Sequence, residues 1–444
     1  MRKLAPKPAI AAITAVVISL LAAGYVLLDG SSECDAECEQ AQLALQVTPS
    51  PTSRPTSTPA STVEPTATAA PATPEPAPPT QAPAIAAAAS PAAPTAAVAA
   101  PSATPSPTVT SGNVVTITNG AGYSNTNPQA NTTYQCASGV VLDGRGAKFA
   151  FTGSASNVTI QNCEIKGYNS GFQEGAIRSH GDGWLIQDNN VHDNSHGGID
   201  GGGNNTVIRN NYVHHNGMYG IAGGDGANLL IEGNEVSYNN TGGFDPGFEG
   251  GGGKVTEANG VVIRNNTYHH NFGPAIWADE NVINATIENN NVYENTWVGI
   301  FYEISAGGVI RNNTLTNNGA GDPRGWFWRS QIIVAASSDV LVEGNVIAQS
   351  CSDCGGIVVI QQDRGSHFAY RVTFRNNRVD GNSGFACDAG PQDVPASTCQ
   401  AIAATISFDG NLYTSDVELE FYPHDNLSFS QFQGIGQEAN GGLQ

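Results

Sequence analysis

Between residues 158 and 380 the chain repeats one short pattern: apolar, any, apolar, any, Asn-Asn or a close equivalent, any, aliphatic. Its central apolar residue falls at Ile160, Ile186, Ile208, Ile231, Ile263, Ile287, Ile310, Val342 and Phe374, at spacings of 26, 22, 23, 32, 24, 23, 32 and 32. Each stretch alternates with period two and is too short for a helix, and no helical pattern separates one from the next. The long spacings carry extra Gly, Ser, Pro or Cys. A fixed period of this kind describes stacked units, each unable to bury its apolar face alone.

Two further columns follow from these anchors. Three residues on stand Cys163, Asn189, Asn211, Asn234, Asn266, Asn290, Asn313, Asn345 and Asn377. Five residues on stand Ile165, Val191, Val213, Val236, Tyr268, Val292, Leu315, Ile347 and Val379. Asn side chains aligned in turns can hydrogen-bond along a ladder while the aliphatic column fills a core. A coil of 22–26 residues stacked on the next at ~4.8 Å explains both. The pattern resembles the right-handed parallel β-helix proteins of the pectate-lyase-like superfamily, over roughly residues 112–444. That resemblance implies an all-β solenoid and leaves the chemistry open. The ladder asparagines are structural on this reading, and Phe429, Phe432 and Ile435 are expected to cap the open C-terminal end.

A third apolar column follows thirteen residues after five anchors: Ile199, Ile221, Phe244, Ile276 and Ile300. Counting back from later anchors adds Ile177 and Ile332. If these point inward, residues one and three places later point outward. One outward row then reads Arg178, Asp200, Ala222, Asp245, Trp277, Phe301, Ile333, and the other His180, Gly202, Gly224, Gly247, Asp279, Glu303, Ala335. The glycines clear a strip of surface. Asp279 and Glu303 are one coil apart, so their Cβ atoms are expected ~5 Å apart. Like charges that close call for a bridging cation or a shared proton. Trp277 and Phe301 form an aromatic platform for a sugar ring, or a floor for a covering loop.

The segment Asp245-Pro246-Gly247-Phe248-Glu249-Gly250-Gly251-Gly252-Gly253-Lys254 leaves the coil beside this face and brings Glu249 and Lys254 to it. Phe244-Asp245-Pro246 resembles the Phe-Asp-Pro-His core of mannuronan C5-epimerases, whose Asp and His belong to the active site. Gly247 stands where that His would be, so only Asp245 carries over. Glu249 to Lys254, Trp277-Ala278-Asp279 and Gly299–Ser305 also resemble a group of secreted bacterial β-helix proteins. His192, His214 and His269 share one outward column with Tyr293, read as stacked rings, whereas His180 beside Arg178 is a separate candidate.

Upstream, Arg2, Lys3 and Lys7 precede an uncharged run, of which Ala9 to Leu28 could cross a membrane. Residues 1–30 are thus a signal peptide or a retained anchor, with Ala22 and Gly24 offering a cleavage site. Of the 25 Pro, 16 lie between Pro49 and Pro107, so residues 31–111 read as a disordered Pro/Thr/Ala/Ser linker, and 112–444 as the folded domain. An extracytoplasmic domain fits the eight cysteines: Cys136 and Cys163 could staple its start. Cys351, Cys354, Cys387 and Cys399 form a set whose pairing stays open, with disulfides favoured over zinc.

A net charge of −21 excludes a nonspecific nucleic-acid binder. The acidic excess turns attention to the carboxylates, and a cell-surface glycan or other polysaccharide is the expected partner. One reading is a lyase or epimerase of uronic-acid polymers working by proton abstraction. Lys254 or His180 would be the base, Asp245, Asp279 and Glu303 further catalytic groups, and Arg178, Asp200, Glu249, Trp277 and Phe301 the substrate contacts. Ca²⁺ held by Asp245, Glu249, Asp279 and Glu303 would then bridge an acidic protein to an acidic polymer. A glycoside hydrolase using Asp279 and Glu303, at a spacing suited to retention, is a second reading. A non-catalytic carbohydrate-binding or adhesive surface module is the third.

Overall fold

The computed structural model describes residues 112–349, 354–388, 394–414 and 417–444. The chain divides into two units, Met1–Ala92 and Ala93–Gln444, and every described residue belongs to the second. The apolar N-terminal run, the linker, Cys34, Cys38 and Cys351 lie outside the described residues. Among the described residues no helix is long and apolar enough to cross a membrane.

Successive coils each contribute a short strand to three sheets of twelve strands. Neighbouring strands pair in parallel, until His424–Leu427 turns back antiparallel on Leu419–Phe421. The nine anchors form one unbroken column of the first sheet, each opposite the next. Tyr134 and Phe408 extend that column by one coil at each end. The column five residues on runs through the second sheet in the same way. Both columns are buried, so the period-two alternation is the imprint of one continuous core.

The paired asparagines of the motif do two different jobs. The first bends the chain: Asn162, Asp188, Asn210, Asn265, Asn289, Asn312 and Asn376 all hold φ between 54° and 57°. Gly233 and Gly344 stand at the same place with φ of 65° and 63°. Left-handed backbone favours Asn, Asp and Gly, which accounts for the choice of residue. The second asparagine builds the ladder. The side-chain amide of Asn290, for example, donates to Asn313 Oδ1 at 3.0 Å and to the Ile263 carbonyl at 2.9 Å. Glu438 closes the series by accepting from Asn411 and from the Tyr413 hydroxyl. A second ladder, absent from the sequence reading, runs from Asn194 through Asn216, Asn239, Asn271, Asn295 and Asn318 to Gln331.

Phe432, in the helix Phe429–Gly434, packs fully buried against Phe408 and Phe421 and closes the end of the core. Ile435 is exposed and takes no part in that cap, contrary to expectation. Cys136 and Cys163 form a disulfide between successive coils, Cys387 pairs with Cys399, and Cys354 is also disulfide-bonded.

The third sheet corrects one position of the sequence reading. Ile177, Ile199 and Ile221 pair as expected, as do Ile276, Ile300 and Ile332. Between the two groups, however, the register places Gly253 and not Phe244. The insertion lies before the strand Lys254–Asn259 and not after it, so counting forward from Ile231 overruns into the loop. The outward row therefore reads Arg178, Asp200, Ala222, Lys254, Trp277, Phe301, Ile333, and Thr256 replaces Gly247 in the companion row. Gly202 and Gly224 have a further reason to be glycine. A Cβ on Gly224 would sit 2.2 Å from the Thr256 carbonyl oxygen, and one on Gly202 2.7 Å from that of Ser179.

Candidate functional site

The outward rows of the third sheet gather the candidate residues into two clusters. The first is centred on Lys254, which the corrected register sets directly opposite Trp277. Its ammonium lies 2.9 Å from Asp279 Oδ2 and 3.4 Å from Glu249 Oε1, donates to the Phe248 carbonyl, and rests 4.4 Å from the Trp277 ring centre. Glu303 lies on the next strand from Asp279 and accepts from Arg364 Nη2 at 3.0 Å. The side chains of Lys254, Asp279 and Glu303 are each only 6% exposed, so this is an ion cluster roofed by loops.

Burial disfavours the Lys254 charge, but Asp279 and Glu249 outweigh it and hold its pKa above the ordinary value. Burial likewise pushes Glu249 up, against the pull of Lys254 and a hydrogen bond from Gln173. Glu303 rises to about 7, mainly through burial and then through the Asp279 charge, with Arg364 opposing.

The second cluster lies toward the N-terminal end of the same sheet. Arg178 bridges Glu174, at 2.6 Å, and Asp200, at 2.9 Å, while Lys148 takes the other Glu174 oxygen at 3.0 Å. Burial carries Asp200 up to about 7; Arg178 pulls against it, while Asp225 and Glu174 push further up. Glu174 goes the opposite way: its burial is overcome by Lys148, the Gly171 backbone N–H and Arg178, and its pKa falls. His180 lies two residues beyond Arg178 and is exposed at the rim; partial burial and Arg178 hold its pKa below the ordinary value.

The clusters meet through residues that the sequence reading missed. Gln173 donates to Glu249 Oε1 at 2.7 Å across 76 residues of chain, tying the loop before the strand Gly175–Ser179 to the insertion. Among the described residues the buried Tyr219 hydroxyl finds no hydrogen-bond partner, and it feels the charges of Asp200, Glu249, Arg178 and Glu174. Phe172 and Phe248, both exposed, stack with ring centres 6.0 Å apart and planes 14° apart beside the Gln173–Glu249 link. Loop-to-loop contacts have no sequence period, and nothing in the repeat pattern singles out Gln173, Phe172 or Phe248.

Trp277 and Phe301 do stack, at 5.1 Å and 17°. They are buried, however, in a cluster with Trp297 and Ile333, over which Phe327 and Trp328 pack. The covering segment, not a sugar, occupies that aromatic floor. Asp245 lies in the exposed insertion, where its Oδ1 accepts the Gly247 N–H at 2.8 Å. The four carboxylates considered for Ca²⁺ do not fit as one set, because the Lys254 ammonium already stands between Asp279 and Glu249. Among the described residues, no group of three or more His, Cys, Asp or Glu converges to hold a metal.

Three parallel sheets, two asparagine ladders and a charged outward face make the chain a right-handed parallel β-helix protein. The family model described as "Right handed beta helix region" matches residues 138–248 and 175–325. No curated protein matches the sequence. Among solved structures the chain is similar to the A-module of Azotobacter vinelandii mannuronan C-5 epimerase AlgE6, at 16% identity, covering 75% of this chain and 90% of that one, with a TM-score of 0.38. It is also similar to an alginate lyase from Paenibacillus, at 13% identity, 74% and 99% coverage and a TM-score of 0.40. The Dettilon tailspike protein is a third such structure, at 17% identity, 75% and 60% coverage and a TM-score of 0.37.

Proposed function

We propose that the protein is an extracytoplasmic, polysaccharide-active enzyme that abstracts a proton from uronic-acid-containing polymers, as a lyase or an epimerase, at the Arg178–His180 end of the third sheet. One juxtaposition carries this reading: a permanent cation sits against an aspartate biased protonated, and a histidine biased neutral follows one residue past the end of the same strand. By exchanging Asp200 for the substrate, the Arg178 guanidinium would neutralise the carboxylate of a uronate and so acidify the proton α to it. His180, neutral at pH 7 because its pKa is lowered, accepts that proton. Asp200, titrating at about 7, returns a proton to the leaving oxygen or to the opposite face of the ring. The exposed Phe172–Phe248 pair offers a stacking platform for a neighbouring sugar. Lys254 is not the base here, since Asp279 and Glu249 keep it charged. The Cys136–Cys163 and Cys387–Cys399 disulfides support a location outside the reducing cytoplasm, where the Pro-rich segment would act as a tether.

A second reading rests on Glu303. A carboxyl titrating at about 7 next to Asp279 has the character of a hydrolase's general acid, but Arg364 would have to move to admit a glycosidic oxygen.

The test is incubation of the purified protein with polyuronates and neutral glycans. Unsaturated-uronate absorbance, or C5 inversion seen by NMR, is expected, and His180→Ala should lower the rate by ~100-fold or more. New reducing ends without that absorbance, abolished by Glu303→Gln, would favour the hydrolase. Glycan binding without turnover would leave a binding module.

A further inference from the structure

The outer surface of the second sheet carries two files of stacked rings. His192 stacks on His214 and His269 on Tyr293. The neighbouring file sets Tyr238 between His215 and His270, stacked on both. The files meet at the consecutive pairs His214-His215 and His269-His270, whose rings stand nearly perpendicular, at 89° and 87°. Within each pair the two Nδ1 atoms are aimed at each other, at 2.8 Å and 2.9 Å. That is the separation of an N–H···N hydrogen bond, so one Nδ1 of each pair carries a proton and the other accepts it.

The pairs differ in what their outer nitrogens face. His214 Nε2 lies 3.0 Å from Asn190 Oδ1 and donates to it, which leaves His215 to donate the bridge. Two protons then serve two neutral rings, one each. In the other pair both outer nitrogens face carboxylates: His269 Nε2 lies 3.3 Å from Glu235 Oε1, and His270 Nε2 2.7 Å from Glu294 Oε2. An ionised carboxylate only accepts, so both nitrogens donate. With the bridge, three protons sit on two rings. This pair completes all its bonds only as a cation, imidazole joined to imidazolium, between two negative charges.

We propose that His269 and His270 form an acid-sensing dyad: one extra proton is held across the Nδ1 bridge with Glu235 and Glu294 as counter-charges, and a second proton breaks the bridge and opens the ring seam between coils. Glu235 begins the strand Glu235–Ser237 and Glu294 follows the strand Asn291–Tyr293, so the counter-charges come from the coil on either side. The other titratable groups facing the dyad are Tyr238 and Tyr293, which stack on it, and His215 beyond Tyr238. Burial and then the two carboxylates hold the Tyr293 phenol above its ordinary value, so it stays neutral. The dyad takes its protons in two steps that belong to the pair and not to either ring. Burial resists the second step most, Glu235 favours it, the His270 charge opposes it, and the balance holds His269 below the ordinary histidine value. Once both Nδ1 atoms carry hydrogens they cannot share 2.9 Å, and the two like charges repel. One ring then turns out of its stack. For His270 that releases Tyr238 on the coil before and Tyr293 on the coil after. Because the folded value is lowered, the loss sets in as pH falls through and below the ordinary histidine range.

The experiment is ¹H–¹⁵N NMR of the intact protein through a pH titration, reading the histidine ring nitrogens and the Tyr238 and Tyr293 ring protons. The His269–His270 pair is expected to gain its extra proton ~1 pH unit or more above the His214–His215 pair, a tenfold difference in proton affinity. A strongly downfield bridge proton should mark that state and vanish at the second step, together with a shift of both tyrosine rings. Glu294→Gln should lower the first step by ~1 pH unit and leave His214–His215 unchanged. The proposal falls if the two pairs titrate alike, or if Glu294→Gln titrates as the parent does. It falls equally if the tyrosine rings do not respond to the second step, since the dyad then gates nothing.

Discussion

Lys254 and Asp279 meet at 2.9 Å with both side chains 6% exposed, one from the first residue of its strand and the other just past the end of the next. Such a pair contributes less through attraction than through what its loss would leave behind. Lys254→Met would strand Asp279 and Glu249 as uncompensated carboxylates next to Glu303. A loss of about 3–5 kcal/mol is expected in urea unfolding. Lys254→Met with Asp279→Leu should recover much of that loss, because a well-packed apolar pair of similar volume replaces both charges. If the double variant is as unstable as the single, the ammonium's other contacts, Glu249, the Trp277 ring and the Phe248 carbonyl, carry the effect.

Asp200 and Glu303 give stability an unusual slope with pH. Both titrate at about 7 in the folded protein, above the ordinary carboxylate range. A group whose folded pKa is raised contributes stability that is complete below its unfolded pKa and lost as pH rises through the folded one. These two carboxyls should therefore add stability from pH 8 down to about 5, against His180, His196, His214 and His269, whose lowered pKa values take stability away as pH falls through the ordinary histidine range. The gain is a few kcal/mol, since each tenfold change in proton affinity corresponds to roughly 1.4 kcal/mol. Glu174, whose pKa is lowered, acts with the opposite sign and takes effect only at more acid pH. Asp200→Asn with Glu303→Gln should make stability at pH 5, relative to pH 8, lower than in the parent, leaving the share of Glu420, which also rises to about 7, as denaturation midpoints at the two pH values would show.

Activity under the proposed mechanism has its own window. His180 must be neutral, which holds above its lowered pKa, and Asp200 must be protonated, which holds below about 7. A bell-shaped profile on the acid side of neutrality is expected. Asp200→Asn should remove the limb near pH 7 and lower the maximum. An unchanged profile in that variant would detach Asp200 from the chemistry.

The fold was legible in the sequence because the core imposes it coil by coil. A one-residue slip would expose a whole aliphatic column, so Ile160 to Phe374 could be aligned by counting alone. The face was legible only where counting survived the insertions. Phe244 looked correct because it is apolar and thirteen residues past an anchor. Counting back ten from Ile263 instead reaches Gly253, in line with the nine or ten that separate Ile177, Ile199, Ile221, Ile300 and Ile332 from the anchors that follow them. That rule holds because the insertion precedes the strand. Contacts such as Arg364 on Glu303, 61 residues apart, and Gln173 on Glu249 join loops from different coils, and no periodicity announces them.

Asn290 tests the ladder at its centre. Its Oδ1 accepts from both the backbone and the side-chain amide of Asn266, and its own amide serves Asn313 and the Ile263 carbonyl. All of these groups are buried, so Asn290→Ala leaves several polar atoms unpaired at once. A destabilisation of about 2–4 kcal/mol is expected in chemical denaturation, more than a typical single hydrogen bond is worth. A loss below ~1 kcal/mol would mean that water enters the turn and replaces the amide.

The two glycines Gly224 and Gly247 share one row in the sequence reading but differ in the structure, and alanine separates them. At Gly224 the added Cβ would land 2.2 Å from the Thr256 carbonyl oxygen, a backbone atom of the neighbouring strand that cannot rotate away. Either the strands Ile221–Ala227 and Lys254–Asn259 part locally or the coil spacing changes, and overpacking of this kind costs about 1–3 kcal/mol or more. At Gly247 the nearest atom is Asp245 Oδ1 at 3.2 Å, the end of a side chain on an exposed loop, and the glycine holds no left-handed backbone. Gly247→Ala should therefore unfold within ~0.5 kcal/mol of the parent. Gly224→Ala should lower the unfolding midpoint and also loosen Lys254, which begins the strand it pushes against. Hydrogen exchange at Val255 and Thr256 would register that loosening, and equal behaviour of the two variants would return Gly247 to the sheet.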